Sequence, residues 1–445
     1  MMLDADQPPK QEVIREDLSL IMSSLPEEII VHILSFLPVK SIFRFRCVCK
    51  NWCNNLFKDP KFIRLHLNHS IANNKFRSLL TTRSMVPMYS VNWCHSLPVA
   101  SAHNNNEQSD VEIIDSPFYL ADYYSTHASC DGLILMYNPF EFHGVILWNP
   151  STKEIMEIPE PIYSGSIDPF DEPTIMVTVS TQYGLGYSPI LDDYKIVKTE
   201  TYFKNDEWVC NGCYVYIYSL GSDSWKTIPG IIPYDLLLGG KSIKPVMYNG
   251  ALHWIGSSCI SLKQGRELSI AISIVIISFD IENDTFKEVP LTPELQESLS
   301  YDHTTILYND SRLIKFQEST DIFLGTFHGY LSIVQGGDLD LTRNNNGDVS
   351  IWVMKEYGVK ESWTKMFSVS VQSMERSVKC STMMTIIDFR DGFLYLKDKT
   401  SLVVYDAEHK TCRVVYSGDL SIEGLSFEDT YVESLVSLNS GMYLG

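Results

Sequence analysis

Apolar residues recur at helical spacing between Ser24 and Phe57. Positions three and four apart lie on one face of a helix, so this pattern predicts three short helices. Pro26 suits a first helical turn, and Pro38 ends the first helix and reverses the chain. The apolar positions are Ile29, Ile30, Ile33, Leu34 and Leu37, then Ile42 and Phe45, then Val48, Cys49, Trp52 and Leu56. A unit of about 40 residues cannot hide this much apolar surface, which predicts a surface that another protein covers.

From about Ser78 the pattern changes to short alternating runs separated by Gly, Asn, Asp and Pro, which is typical of a β-rich fold. One unit recurs there: an aromatic residue, a polar turn, and a bulky residue seven positions further on. Its copies are Trp148 to Ile155, Tyr218 to Trp225, Phe279 to Phe286 and Tyr405 to Cys412, and a fifth copy with a longer turn, Trp352 to Trp363. Each copy predicts two strands joined by a hairpin.

A second unit is a glycine followed by alternating apolar residues, beginning at Gly132, Gly250, Gly329 and Gly392. Glycine permits a tight turn that a Cβ atom would block. Successive copies of the aromatic unit lie 70, 61, 73 and 53 residues apart, near the spacing of degenerate propeller blades. A closed ring leaves no long sheet edge exposed, so we expect a mainly β fold with a small α-helical N-terminal domain and a propeller of about six irregular blades.

The net charge of the chain indicates which classes of partner it can bind. The 445 residues include 35 Lys and Arg against 55 Asp and Glu, a net charge of -20. Such a surface repels phosphate backbones and anionic lipid head groups, which predicts no nucleic-acid and no membrane partner and is compatible with a basic protein target. Plain solubility is the commoner cause of such a charge.

The N-terminal segment and the cysteines indicate the compartment. Residues 1–20 are polar and are expected to form a disordered arm without the basic start and apolar run of a signal peptide. The run from Ile270 to Phe279 is too short to span a bilayer. Ten cysteines without an export signal indicate reduced thiols. We therefore expect an intracellular protein of the cytoplasm, the nucleus or both.

The helical segment reads Leu25-Pro26-Glu27-Glu28-Ile29-Ile30, Ile33-Leu34, Leu37-Pro38-Val39-Lys40-Ser41-Ile42, Arg44-Phe45-Arg46-Cys47-Val48-Cys49-Lys50 and Trp52. It closely resembles an F-box, the element that docks on the Skp-type adaptor of cullin-RING ubiquitin ligases. Downstream stand Ser129-Cys130-Asp131-Gly132-Leu133-Ile134, Trp148-Asn149-Pro150-Ser151-Thr152, Tyr183-Gly184-Leu185-Gly186-Tyr187, Asp192-Asp193-Tyr194-Lys195-Ile196-Val197 and Ile351-Trp352-Val353-Met354. These segments are similar to a plant F-box-associated domain of type 1, the kelch-like kind.

After the arm expected over residues 1–20, the resemblance implies an F-box over 21–66 and an F-box-associated recognition domain over 67–440. It implies the substrate-recognition subunit of a Skp-cullin-F-box ubiquitin ligase, which binds the adaptor and, through it, the cullin and RING subunits. Carried over by position, the docking residues would be Leu25, Pro26, Ile29, Ile33, Leu34, Leu37, Pro38, Val39, Ile42, Phe45, Val48, Cys49 and Trp52. Leu25, Pro26 and the turn 37–39 are the preferred contacts, whereas Phe45, Val48 and Trp52 suit core and contact equally.

Two alternatives stay open from the sequence. One is an S-locus-type F-box receptor that recognises secreted ribonucleases in self-incompatibility, and the other is a non-degradative propeller module. The target protein and its binding residues are not assigned. Loop-borne aromatic residues are candidates for target contact, because binding residues gather on loops held by a rigid scaffold; they are Tyr163, Phe170 and Tyr234.

Motifs that resemble catalytic, metal or nucleotide sites are incomplete. The pair Cys210 and Cys213 has zinc spacing but no second pair. The run 239–242 imitates a phosphate-binding loop without its first glycine, and Gly184-x-Gly186 lacks its third. His66, His69 and His253 suit packed or solvated positions. The sequence therefore predicts no enzyme activity, no cofactor and no metal.

Overall fold

The computed structural model describes a helical unit and most of the β-rich region that follows it. The described residues are 25–73, 76–86, 89–98, 112–114, 124–138, 144–161, 176–204, 207–234, 236, 244–264, 267–299, 322–336, 348–370, 385–390, 392–397, 401–417 and 425–438.

The helical unit, residues 25–73, contains four α-helices. They are α1 (Glu27–Ser35), α2 (Val39–Phe45), α3 (Lys50–Asn54) and α4 (Pro60–Ala72), with a 3-10 turn at Leu56–Lys58. Pro26 and Pro38 stand immediately before α1 and α2, as their fixed φ favours. The Asp59 carboxylate accepts a hydrogen bond from the Lys61 N–H at 3.0 Å and caps α4. The three predicted helices are present, and α4 is an addition that runs across the predicted 66/67 boundary.

Twenty-four strands follow in the described residues. They are β1 (Phe76–Val86), β2 (Tyr89–Pro98), β3 (Glu112–Ile114), β4 (Ser125–Cys130), β5 (Leu133–Tyr137), β6 (Val145–Asn149), β7 (Glu154–Ile158), β8 (Met176–Ser188), β9 (Asp193–Lys204), β10 (Glu207–Ser219), β11 (Ser224–Thr227), β12 (Val246–Tyr248), β13 (Ala251–Gln264), β14 (Glu267–Asp280), β15 (Thr285–Val289), β16 (Ile322–Phe327), β17 (Tyr330–Gln335), β18 (Asp348–Met354), β19 (Trp363–Ser370), β20 (Thr385–Arg390), β21 (Phe393–Lys397), β22 (Ser401–Asp406), β23 (Thr411–Ser417) and β24 (Leu425–Val432). A fifth helix, α5 (Pro293–Leu299), lies between β15 and β16.

The described strands form six four-stranded antiparallel sheets. Five sheets are built from consecutive strands, β4–β7, β8–β11, β12–β15, β16–β19 and β20–β23. The sixth has the order β24-β1-β2-β3, so the last strand pairs with the first, with Arg77 opposite Tyr431. This pairing closes the chain on itself. The predicted order, a small helical unit before a mainly β domain, is confirmed.

The aromatic units form the hairpins between the third and fourth strands of their sheets. Four of them place the aromatic residue directly opposite the bulky one, namely Trp148 and Ile155, Tyr218 and Trp225, Phe279 and Phe286, and Tyr405 and Cys412. The fifth differs, because its longer turn sets Trp363 opposite Met354, and Trp352 lies opposite Lys365 beside a register shift between Ile351 and Trp352.

The glycine units form the hairpins between the first and second strands. Gly132, Gly250, Gly329 and Gly392 have φ values of +87°, +74°, +75° and +87°. The preceding residues Asp131, Asn249 and His328 also have positive φ. Two consecutive positive φ values define a type I′ turn, which matches the twist of a hairpin.

Because neighbouring strands are antiparallel, the first-to-second and third-to-fourth hairpins lie at the same end in each of the five sheets built from consecutive strands. We call this end the hairpin face and the opposite end the distal face. The helical unit packs on the hairpin face. One hydrophobic cluster joins the two parts and contains, from the helical unit, Phe62 and Leu67, and from the β region, Leu133, Leu185 and Leu435.

Candidate partner-binding surface on the helical unit

Large apolar side chains are exposed along α1. Leu25, Ile29 and Ile33 are spaced four residues apart and therefore lie on one side of the helix. Ile29 is 46% and Ile33 52% exposed. Three further exposed side chains complete what we call the apolar face, which consists of Leu25, Ile29, Ile33, Phe36, Phe45 and Val48. An apolar surface of this kind on a small unit marks a binding surface.

Three of the predicted docking residues lie inside the helical unit instead. Leu34 is 4%, Val39 2% and Ile42 0% exposed, and all three belong to the shared hydrophobic cluster. One step along a helix turns a side chain by about 100°, so Leu34 faces away from Ile33. Val39 and Ile42 are three residues apart on the inner side of α2. In this conformation the three side chains offer no surface to a partner, and their assignment as contact residues stays a prediction.

The other predicted positions are distributed between surface and core. Pro26, Pro38 and Cys49 are exposed with the apolar face, whereas Leu37 and Trp52 are half-buried. The Leu37 carbonyl oxygen lies 2.9 Å from Nε2 of the buried His66, which donates in the tautomer that this contact requires. The Trp52 ring meets the rings of Phe45 and Phe57 edge-on at 6.2 and 6.0 Å. The Trp52 ring therefore supports the exposed Phe45, and the Leu37 backbone is bound to α4 through His66.

Sequence reasoning missed Phe36. Its ring is exposed on one side and stacks on the His69 ring of α4, with centroids 3.9 Å apart. His69 Nδ1 also lies 2.8 Å from the Ser35 hydroxyl. The sequence contained a signal for it, because Phe36 stands three residues after Ile33 and so continues the apolar side of α1 formed by Leu25, Ile29 and Ile33.

The helical unit is attached to the hairpin face through Arg64 of α4. Its guanidinium lies 4.8 Å from the centre of the Tyr187 ring and donates a hydrogen bond to the Tyr187 hydroxyl at 2.9 Å. That hydroxyl donates in turn to Asp192 at 2.6 Å. Beside this group, Tyr194 donates to the Asp131 carboxylate at 3.1 Å. Burial raises the pKa of Asp131, and the hydrogen bond from Tyr194 and the charge of Arg64 oppose that rise.

The segment after β24 lies in the same junction. Leu435, Val436 and Leu438 are buried in the cluster that the helical unit shares. Asn149 donates from Nδ2 to the Val436 carbonyl oxygen at 2.7 Å, and the Glu154 carboxylate accepts from the Leu438 N–H at 2.7 Å. The β4–β7 sheet, the end of the described chain and α4 thus form one packed region.

Several titratable groups within the β region are buried and have partners inside it. Lys198 pairs with Glu160 at 2.8 Å and with Glu200 at 2.9 Å. Burial, with a smaller effect of Lys244, lowers the pKa of His127 to about 4. His253 lies 2.8 Å from the Tyr357 hydroxyl, and burial lowers its pKa to about 4. Both histidines are therefore neutral at ordinary pH.

The described ranges contain no group of three or more His, Cys, Asp and Glu side chains that could hold a metal ion. Cys213 is buried, with Sγ 3.1 Å from the Tyr234 carbonyl oxygen. The Tyr234 hydroxyl donates to Glu288. Tyr163, Phe170 and the run 239–242 lie outside the described residues. Among the helices that the structure describes, none is long and apolar enough to cross a membrane.

Two family models match the chain. The model of the F-box domain matches residues 22–64, and the model of the F-box associated beta propeller domain matches residues 78–438. The first range contains the whole apolar face. The second runs from β1 into the segment that follows β24.

Curated relatives match along nearly the whole length. The Arabidopsis thaliana F-box/kelch-repeat protein At3g23880 is 26% identical over 429 residues, which cover 94% of this chain and 96% of that protein. The Arabidopsis thaliana F-box protein CPR1 is 27% identical over 426 residues, covering 91% and 89%. Among solved structures, a subtype N11 neuraminidase-like protein aligns over 76% of this chain and 86% of that chain, with 11% identity and a TM-score of 0.32. This score is too low to indicate a shared function. The two family matches settle the classification: the chain belongs to the plant F-box proteins that carry an F-box associated β-propeller domain.

Proposed function

We propose that this protein is the substrate-recognition subunit of a Skp-cullin-F-box ubiquitin ligase. The observation that carries the proposal is the apolar face, which lies within the F-box match and is open to a partner. The Skp-type adaptor would bind this face, and the cullin and RING subunits would join the complex through the adaptor. Leu25, Pro26, Ile29, Ile33, Phe36, Pro38, Phe45, Val48 and Cys49 would supply the contacts.

The propeller would bind the target protein. The helical unit occupies part of the hairpin face through Arg64 and the shared cluster, so the distal face is the surface that we propose for a target. The target itself is unassigned, and the negative charge of the chain favours a basic one. Ubiquitin transfer would take place on the RING subunit, with this chain as a non-catalytic receptor in the cytoplasm or the nucleus.

The test is co-purification with the adaptor and cullin. Interfaces depend on a few buried apolar anchors, so a charge placed on two of them abolishes binding. The variant Ile29→Arg with Ile33→Arg is expected to lose both partners while keeping the circular dichroism spectrum of the wild type. The matched control is Val414→Arg, an exposed apolar residue of β23, whose sheet contributes none of its described residues to the hydrophobic cluster that the helical unit shares.

Normal recovery of the adaptor by the double variant would contradict the assignment of the apolar face. If the wild-type chain recovered neither adaptor nor cullin, a propeller binding module without ligase function would be the better description.

A further inference from the structure

Basic residues are concentrated in the helical unit although the chain is acidic. Residues 25–73 contain seven Lys and Arg against three Asp and Glu, whereas the whole chain contains 35 against 55. The seven are Lys40, Arg44, Arg46, Lys50, Lys58, Lys61 and Arg64. Two of them have internal roles, since Arg46 lies 4.3 Å over the Phe43 ring and Arg64 binds Tyr187.

Three exposed cations flank the apolar face. Lys40 and Arg44 are one turn apart on α2, and Lys50 begins α3. Phe45 and Val48, two members of the apolar face, lie between Arg44 and Lys50 in the chain. We call Lys40, Arg44 and Lys50 the basic rim. In the part of the chain that the structure describes, Arg44 and Lys50 have no ion-pair partner.

Helix stability does not account for this placement. The N-terminus of a helix carries a partial positive charge, so cations are unfavourable there and favourable at the C-terminus. Lys40 stands in the first turn of α2 and Lys50 is the first residue of α3, which are the unfavourable positions. Only Arg44, in the last turn of α2, suits the helix dipole.

We infer that the basic rim recognises an acidic patch on the adaptor, beside the pocket that takes the apolar face. This inference rests on the proposed function and names the chemistry of its partner. Charges at the edge of an interface act mainly on the association rate, whereas buried apolar anchors act on the dissociation rate. The rim therefore directs the encounter, and the apolar face holds the complex.

The experiment measures association and dissociation rates of the full-length chain with purified recombinant adaptor at about 50 mM and about 500 mM salt, where the Debye length falls from roughly 14 to 4 Å. The rim variant is Lys40→Glu with Arg44→Glu and Lys50→Glu. The control variant, Lys287→Glu with Lys355→Glu and Lys360→Glu, makes the same change in net charge on exposed propeller residues.

At low salt the rim variant is expected to associate roughly tenfold to a hundredfold more slowly than the control variant, with a dissociation rate within about threefold of wild type. At high salt the association rates converge. The conservative variant Lys40→Arg with Lys50→Arg keeps the wild-type rate.

Equal association rates for the rim and control variants at low salt would overturn the inference. The proposed function would still stand, because the chain would still bind the adaptor. A second alternative is that the rim binds the N-terminal arm of the same chain, since residues 1–24 carry five Asp and Glu. A chain that lacks residues 1–24 tests this alternative. If the rim variant slowed association only in the full-length chain and not in the shortened one, the N-terminal arm and not the adaptor would be the acidic partner. Absence of wild-type binding at both salt concentrations would instead refute the proposed function itself.

Discussion

Replacing Arg64 by alanine removes the side chain that attaches α4 to the hairpin face. The substitution eliminates the stacking of the guanidinium on Tyr187 and the hydrogen bond to its hydroxyl. It also leaves the buried Asp131 without the cation that favours its ionised form. Tyr187→Phe is the milder variant, since it keeps the ring and removes only the hydroxyl that links Arg64 to Asp192.

The magnitudes follow from these contacts. A partly desolvated cation–π contact contributes about 1–2 kcal/mol and a hydrogen bond from a charged donor about 1.5–2 kcal/mol. We therefore expect Arg64→Ala to destabilise the junction by roughly 2–4 kcal/mol and Tyr187→Phe by about 1–2 kcal/mol. The two effects share a contact, so the double variant should lose about 1 kcal/mol less than their sum.

Hydrogen exchange of the α4 amides is the appropriate assay, because it reports the free energy of local opening. Arg64→Ala should lower the opening free energy of α4 by the stated amount while the strands of β12–β15 keep theirs. Lys61→Ala, an exposed neighbour on α4, is the control and should change nothing. Unchanged exchange in Arg64→Ala, or an equal loss in Lys61→Ala, would refute the account of the junction.

Two further predictions concern the hairpins. A Cβ atom at Gly132 would lie 2.6 Å from Ser434, whereas one at Gly250 would meet nothing within 4 Å, and both glycines have positive φ. Gly250→Ala should therefore destabilise the fold by only about 1 kcal/mol through backbone strain, and Gly132→Ala should lower the midpoint of thermal unfolding clearly more. Equal losses in the two variants would contradict this packing. The Asn283 side chain, together with the N–H groups of Asn283 and Glu282, lowers the pKa of Asp280 below its ordinary value. The Asp280 carboxylate therefore stabilises the fold fully above about pH 4, and this contribution is lost as pH falls through the lowered pKa. Asp280→Asn should make the free energy of unfolding depend less on pH in this acid range. An unchanged pH dependence in the variant would contradict the role of the carboxylate.

Local chemistry explains why the hairpins could be predicted. Asn149, Asp280 and Asp406 each follow a buried aromatic strand residue and accept hydrogen bonds from N–H groups two and three positions on. These side chains specify the turn without help from the rest of the fold. The Asp131-Gly132 and Asn249-Gly250 turns are equally local, because positive φ requires such residues.

Features that depend on distant pairing could not be predicted in the same way. The sheet β24-β1-β2-β3 joins the two ends of the described β region, and nothing near Arg77 indicates that Tyr431 lies opposite it. In the helical unit, apolar spacing located the helices but did not distinguish the outer side chain of Ile33 from the inner one of Leu34. That distinction depends on where α4 packs, and α4 itself had a local signal, Asp59 followed by Pro60, that apolar spacing does not include.

The most direct test of the account is hydrogen exchange of the full-length chain with and without the purified Skp-type adaptor. If the apolar face is the docking surface, the adaptor should slow amide exchange across α1 to α3, including Ile29, Ile33 and Val48, and leave the propeller strands unchanged. Protection confined to the propeller, with no change in α1 to α3, would contradict the central claim.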